Sequence, residues 1–196
     1  MAERFVVGLT GGIASGKSVV SGFLEKEVGT TVIDADVVSR EIYENPEIRE
    51  KVAREFPECA ENGEINRRKL RSVFADSEKT AKLNSITHPA IIGECKKRIA
   101  GARGIIFLVV PLLFETGMDE MCNATVVVVA DKKARIKRLL DRDNIDEETA
   151  ENMMKRQCED AERIKKANYV IENDGDISDL KKKTLSLLAE IRTIAG

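Results

Sequence analysis

The sequence has no marks of export, of a membrane span or of a metal cage. Its four cysteines, Cys59, Cys95, Cys122 and Cys158, lie far apart, with no CxxC pair and no Cys/His ligand spacing. That excludes the usual zinc and dithiol signatures and predicts free thiols in a reducing compartment. Residues Met1 to Arg4 lack the charged-then-apolar layout of a signal peptide. The longest apolar runs, Ile105–Leu113 and Ala124–Ala130, are too short to cross a bilayer. A cytoplasmic, membrane-free protein is therefore expected. Lysine and arginine total 32 against 34 aspartate and glutamate, a net charge of -2. A nucleic-acid binder normally carries a strong positive excess, so no nucleic-acid partner is expected. Internal repeats and low-complexity linkers are absent as well, and the sequence carries no signature of oligomeric state.

What the sequence does have is alternation. Short apolar runs rich in β-branched residues occur at Phe5–Leu9, Thr31–Ile33, Ile105–Val110, Thr125–Val129 and Tyr169–Ile171. They do not alternate with polar residues, as befits strands of a parallel sheet covered on both faces. Segments of helical period separate them. The last places Ile177, Leu180, Thr184, Leu187, Leu188, Ile191 and Ile194 at three- and four-residue steps. Another helix is predicted to start at Pro89, since proline suits a first helical turn, with Ile91, Ile92, Cys95 and Ile99 as its apolar stripe. Between Asp36 and Gly104 no convincing strand is visible. The expected fold is a three-layer α/β P-loop domain with a five-stranded parallel sheet. Its core would take residues of about 1–35, 104–141 and 167–196, with a helical acceptor-binding insertion at about 36–103 and a small lid at about 142–166.

Gly11-Gly12-Ile13-Ala14-Ser15-Gly16-Lys17-Ser18 matches G-x-x-x-x-G-K-[ST] throughout. Glycines let backbone N–H groups turn inward around phosphate oxygens, and the helix that follows adds its positive end. Lys17 is placed to reach the β- and γ-phosphates of ATP, and Ser18 to ligate Mg²⁺. A chance match in a chain of this length is on the order of 1%. The context supports the motif: the Phe5–Leu9 strand feeds it, and Val19, Val20, Phe23 and Leu24 give the next segment an apolar stripe. The nucleotide-binding set runs from Gly11 through Val19.

The loop names a donor, not a reaction. An N-K-x-D guanine-reading motif is missing, and the third apolar run ends in Val110-Pro111 rather than in an acid. Both absences argue against a GTPase or a motor and for a small-molecule kinase. Thr31-Val32-Ile33-Asp34-Ala35-Asp36 puts two carboxylates at the carboxyl end of the second strand, where ligands of doubly wound sheets bind. One of them can orient an acceptor hydroxyl and take its proton, and positioning matters more than basicity in a loose phosphoryl transfer. Asp34 serves equally well as a helix N-cap; Asp36 is the better candidate for chemistry.

Further motifs carry a resemblance. Leu9–Ile13, Val32–Asp36 followed by Arg40, Arg67 and Leu70, His88-Pro89-Ala90-Ile91, Pro111-Leu112-Leu113-Phe114-Glu115, Gln157, and Ala167–Asn173 occur in order over nearly the whole chain. Together they resemble the dephospho-CoA kinase family. The resemblance implies transfer from ATP to the ribose 3′-hydroxyl of dephospho-CoA, with Asp36 as general base and Arg40, His88, Leu112 and Glu115 shaping the acceptor pocket. It also puts Asn173, at the end of the last motif, with the nucleotide. The chain departs from the family pattern at Asn66 and Asn168, where many relatives have Asp, at Val109, and at Phe56-Pro57.

A basic segment, Asp131 to Arg142, follows the fourth run. Lys132, Lys133 and Lys137 read as a solvated face. Arg138 and Arg142 are one helical turn apart and share a face, from which both could reach a triphosphate. Arg142 is the candidate catalytic arginine. The segment Asp146–Lys166, with Lys155, Arg156, Arg163 and Lys165, reads as a lid that excludes water. A nucleoside or nucleoside-monophosphate kinase is the nearest alternative. A nucleotide-dependent switch that transfers nothing is the alternative from another class.

Overall fold

The computed structural model describes residues 4–155 and 160–196. β1 (Phe5–Gly11) leads into α1 (Lys17–Leu24), and β2 (Thr30–Asp34) into α2 (Ala35–Glu41). Then come α3 (Pro46–Glu55), β3 (Ala60–Glu61), β4 (Glu64–Ile65), α4 (Arg67–Val73) and α5 (Ser77–Gly101). β5 (Ile105–Val109), β6 (Ala124–Val129), α6 (Lys132–Asp143), α7 (Glu147–Lys155) and α8 (Asp160–Lys166) follow. The chain closes with β7 (Tyr169–Glu172) and α9 (Ile177–Ala195). Contacts divide it into two compact units, residues 34–100 and the remainder.

The larger unit is built on a five-stranded parallel sheet in the order β2-β5-β1-β6-β7. β1 sits between β5, in register Val7 to Phe107, and β6, in register Val7 to Ala124. β5 is buried along its whole length, as a run of β-branched and large apolar residues requires when helices cover both faces. Val7, Leu9, Phe107, Val126 and Val128 join Val20 and Leu24 of α1 and Leu180, Leu188 and Ile191 of α9 in one core cluster. The expected stripe on α9 is buried only in its middle, because Ile177 and Ile194 are 68% and 55% exposed. Strands are added to one side of β1 early in the chain and to the other side later. The carboxyl end of β1 is therefore where the winding reverses, which is where such sheets bind ligands.

The smaller unit is helical, with a core of Val52, Phe56, Cys59, Leu70, Val73 and Leu83. Two expectations fail here. No helix starts at Pro89: α5 begins at Ser77, where the Asp76 carboxylate accepts from the amides of Glu78 and Lys79 at 2.9 and 3.1 Å, and it runs through the proline. An interior proline forfeits a backbone bond and costs about 3 kcal/mol. Packing outweighs that cost, since Leu83 and Thr87 before the proline and Cys95 after it are all buried. The second correction is the small β3–β4 hairpin. It turns at Asn62-Gly63, both at positive φ (51° and 80°), the Asn-Gly signature of a tight primed turn.

Asn66 and Asn168 both use their side-chain oxygens to accept backbone donors. Asn66 caps α4 by accepting from the amides of Arg68 and Lys69. The Oδ1 of Asn168 accepts from the amide and hydroxyl of Thr125 at 2.8 and 3.0 Å. Asn168 acts through an oxygen acceptor that Asp also has. Asn66 in addition donates its Nδ2 to Glu61 at 2.6 Å, which an Asp could not do.

Three cysteines are free among the described residues; Cys158 lies outside them. Burial pushes the thiols of Cys122 and Cys95 up to about 12 and about 11. Both stay protonated at neutral pH and are poor nucleophiles.

Candidate active site

The sheet unit presents the loop between β1 and α1 in a conformation held from behind. The Arg135 Nε donates to the carbonyl of Ile13 at 2.8 Å. Arg138 donates to the carbonyls of Ala14 and Asn173 at 3.2 and 3.1 Å, and the Asn173 Nδ2 donates to the Ser15 carbonyl at 2.7 Å. A trans peptide puts its N–H opposite its C=O. With the Ile13 and Ser15 carbonyls turned outward, the amides of Ala14 and Gly16 point to the other side. Ala14 at φ 58° and Gly16 at φ 104° supply the left-handed turns that this needs.

Close packing dictates the glycines. A Cβ at Gly12 would strike the Arg135 guanidinium, and one at Gly16 would strike the Asn173 amide. At Gly11 it would lie 2.5 Å from the Val128 carbonyl and 2.6 Å from the Ser15 hydroxyl. α1 starts at Lys17 with no side chain capping it, so its positive end is left for an anion. The Ser15 hydroxyl is buried with no hydrogen-bond partner among the described residues. These features fit a bound phosphate: a buried hydroxyl, two inward-turned amides and a helix end with a lysine in its first turn lie on one loop.

The other residues expected at the nucleotide lie as follows. Lys17 is half-buried, Ser18 and Val19 are exposed, and all three are in the first turn of α1. Arg138 faces the loop's carbonyls. Arg142, although on the same helix, is exposed and gives its Nε and Nη2 to the neighbouring Asp143 at 2.7 Å each. Leu112 is 41% exposed beyond β5, and Glu115 takes a hydrogen bond from Arg163 at 3.2 Å. Gln157 and Arg156 lie outside the described residues.

The family model for dephospho-CoA kinase matches residues 5–179. The chain belongs to the dephospho-CoA kinase family. It is 43% identical to a dephospho-CoA kinase of Fusobacterium nucleatum, over 91% of this chain and 94% of that one. It is 36% identical to another from Shewanella oneidensis, over 99% and 97%. A crystal structure of a protein from Thermus thermophilus superposes with a TM-score of 0.83 at 32% identity, covering 96% of this chain and 98% of the other. A shikimate kinase from Acinetobacter baumannii shares the fold at a TM-score of 0.55 and 16% identity, over 97% and 96% of the two chains. Membership of this family makes the protein a nucleotide-binding kinase.

The residues that the resemblance assigns to the acceptor in this dephospho-CoA kinase family member, other than Leu112 and Glu115, belong to the helical unit. Asp34 caps α2, its carboxylate accepting from the Asp36 amide at 2.8 Å. Asp36 is exposed in the first turn of α2, and its carbonyl accepts from the Ser39 hydroxyl and the Arg40 Nε. Arg40 is therefore folded back along the helix toward Asp36. His88 is half-buried inside α5. A groove of about 700 Å³ opens within this unit beside Glu41, Ile42, Asn45, Ile48, Glu94 and Arg98. None of Asp36, Arg40 or His88 lines it.

Sequence reasoning left three charged residues out of the site. Arg135 is 5% exposed and pairs with Asp160 at 2.7 Å. Burial lowers its pKa, with Asp160 opposing the shift, and a guanidinium so placed stays charged. Arg163 is 1% exposed and pairs with both Glu115 and Asp160. A signal was present for Arg135: it stands four residues before Leu139, a buried apolar residue of α6, so the two share a face.

Proposed function

We propose that this protein transfers the γ-phosphate of ATP to the ribose 3′-hydroxyl of dephospho-CoA, giving CoA and ADP in the last step of coenzyme A synthesis. The observation that carries the reading is the glycine loop, with its carbonyls tied outward to Arg135, Arg138 and Asn173. That arrangement pre-organises donors for a polyphosphate before it binds. The amides of Gly11–Val19 hold the β- and γ-phosphates, and Lys17 offsets their charge. Ser18 offers the hydroxyl for Mg²⁺, which when bound would neutralise charge on the phosphates. Asp36 orients the acceptor hydroxyl and takes its proton. Arg40, His88, Leu112 and Glu115 bind the rest of the acceptor.

Arg142 supplies positive charge to the transferring phosphoryl group. Its present pairing with Asp143 is a surface contact worth roughly 0–1 kcal/mol, so phosphate oxygens displace it at little cost. In this reading the residues of about 36–103 bind the acceptor and those of about 142–166 act as a lid. No described helix is long and apolar enough to span a membrane. A reducing cytoplasm suits the free thiols and the ATP supply.

The test is ADP release with dephospho-CoA, AMP, dTMP or adenosine as acceptor. Dephospho-CoA alone is expected to support turnover. Equal release with and without any acceptor would instead indicate an ATPase or a switch. Asp36→Asn is expected to keep ATP affinity and lose about 10²–10⁴ in kcat, the usual weight of a general base. Parental turnover by that variant would remove Asp36 from the role.

A further inference from the structure

A chain of alternating charges runs through the sheet unit. The Ile13 carbonyl accepts from Arg135, whose Nη1 donates to Asp160 at 2.7 Å. The other oxygen of Asp160 takes Nη1 of Arg163 at 3.2 Å, and Nη2 of Arg163 reaches Oε1 of Glu115 at the same distance. Two cations and two anions thus join the phosphate loop to the segment beyond β5. α8 carries the middle of this chain and has a second hold on that segment, with the Lys166 ammonium 5.8 Å from the centre of the Phe114 ring.

Stability does not explain Arg163. A guanidinium buried to 1% exposure loses its hydration, and replacing a buried ion pair by apolar groups of similar volume is often neutral or stabilising. This one even leaves its Nε without a partner among the described residues. What it provides is geometry. A planar fork that grips Asp160 with one arm and Glu115 with the other holds the second carboxylate in one orientation, which the point charge of a lysine does not. Glu115 is not sealed off: its side chain is 31% exposed, and Oε2 receives no donor among the described residues. One carboxylate oxygen is clamped and the other is presented outward.

We infer that Arg163 is a positioning residue for the transfer, which clamps Oε1 of Glu115 so that Oε2 meets a hydroxyl or amide donor of the acceptor. The inference rests on the proposed assignment of Glu115 to acceptor binding. Arg163 touches neither substrate; it acts through Glu115. Asp160 keeps Arg135 when Arg163 is removed, so the carboxylate left unpaired is Glu115.

Steady-state kinetics of the full chain test this, with Arg163→Met, Arg163→Lys, Glu115→Gln and the double variant Glu115→Gln/Arg163→Met. Arg163→Met is expected to raise KM for dephospho-CoA about tenfold while KM for ATP stays within about twofold. Arg163→Lys is expected to recover part of the loss. The double variant should fall within about twofold of Glu115→Gln alone, since a residue acting through another adds nothing once that other is gone. Effects that multiply, or equal changes in both KM values, would overturn the inference and leave Arg163 a structural residue. If Arg163→Met does not fold, Arg163→Lys with and without Glu115→Gln completes the same cycle. Absence of parental turnover with dephospho-CoA sinks the acceptor assignment and this inference with it. Parental turnover with an additive cycle sinks the inference alone.

Discussion

In the sheet unit, Val7, Leu9, Phe107, Val126 and Val128 interlock beneath two helices, and the guanidinium groups of Arg135 and Arg163 are buried against carboxylates. In the helical unit the core is smaller. Its ion pairs lie near the surface: Lys51 with Glu47, Arg54 with Glu50, Lys82 with Glu55, and Arg98 with Glu41. The contrast separates two tasks. A phosphate has the same shape in every nucleotide, so its cradle can be rigid and pre-formed. Under the proposed assignment, the acceptor belongs to the helical unit and must be chosen and released. That suits a unit with a smaller core and ion pairs near the surface, features that lower the free energy of local opening.

Lys17→Ala probes that division most strongly. It is expected to cut kcat by about a hundred- to a thousandfold through lost phosphate stabilisation and to weaken ATP binding as well. Asp36→Asn, in the other unit, should spare ATP binding. Isothermal titration with ATP beside single-turnover kinetics separates the two, and matching losses of ATP affinity would erase the distinction.

The cores come next. Phe107→Ala should cost about 3–5 kcal/mol and lower the chemical-denaturation midpoint of the whole chain. Leu83→Ala, equally buried but in the helical unit, should cost about 2–5 kcal/mol and raise hydrogen exchange mainly within residues 34–100. If Leu83→Ala loosened the sheet as much as Phe107→Ala does, the units would be one cooperative body.

The smallest effect is expected at the surface. Arg54 and Glu50 are 77% and 72% exposed, and Arg54→Ala should leave the denaturation midpoint unchanged within error. A measurable shift would mean that the helical unit depends on its surface charge more than its geometry suggests.

Legibility followed the same division. The five strands could be read from runs such as Phe5–Leu9 and Thr125–Val129, because a sheet covered on both faces leaves no polar alternation to blur them. The helical unit was harder. Pro89 signals a helix start locally, and only the burial of Leu83, Thr87 and Cys95 shows why α5 runs through it. Asn62-Gly63 did carry a turn signal, but two-residue strands have no periodicity to confirm it. Arg163 stands in the sequence among the basic residues of the expected lid, with nothing to separate it from them, because net charge along a segment does not tell which guanidinium is buried.

By itself the sequence determined the covalent and local facts: glycines where no Cβ fits, a lysine and serine opening α1, β-branched runs for strands, Asp34 before a helix. It also established the family, through motifs kept in order. Tertiary structure decided what each cation of α6 grips. Arg135, Arg138 and Arg142 lie on one helix at three- and four-residue steps. One grips the Ile13 carbonyl, the next the carbonyls of Ala14 and Asn173, and the third lies against Asp143. The reason is physical: a side chain's charge is written in its chemistry, but its partner is set by what the fold brings within about 3 Å of it.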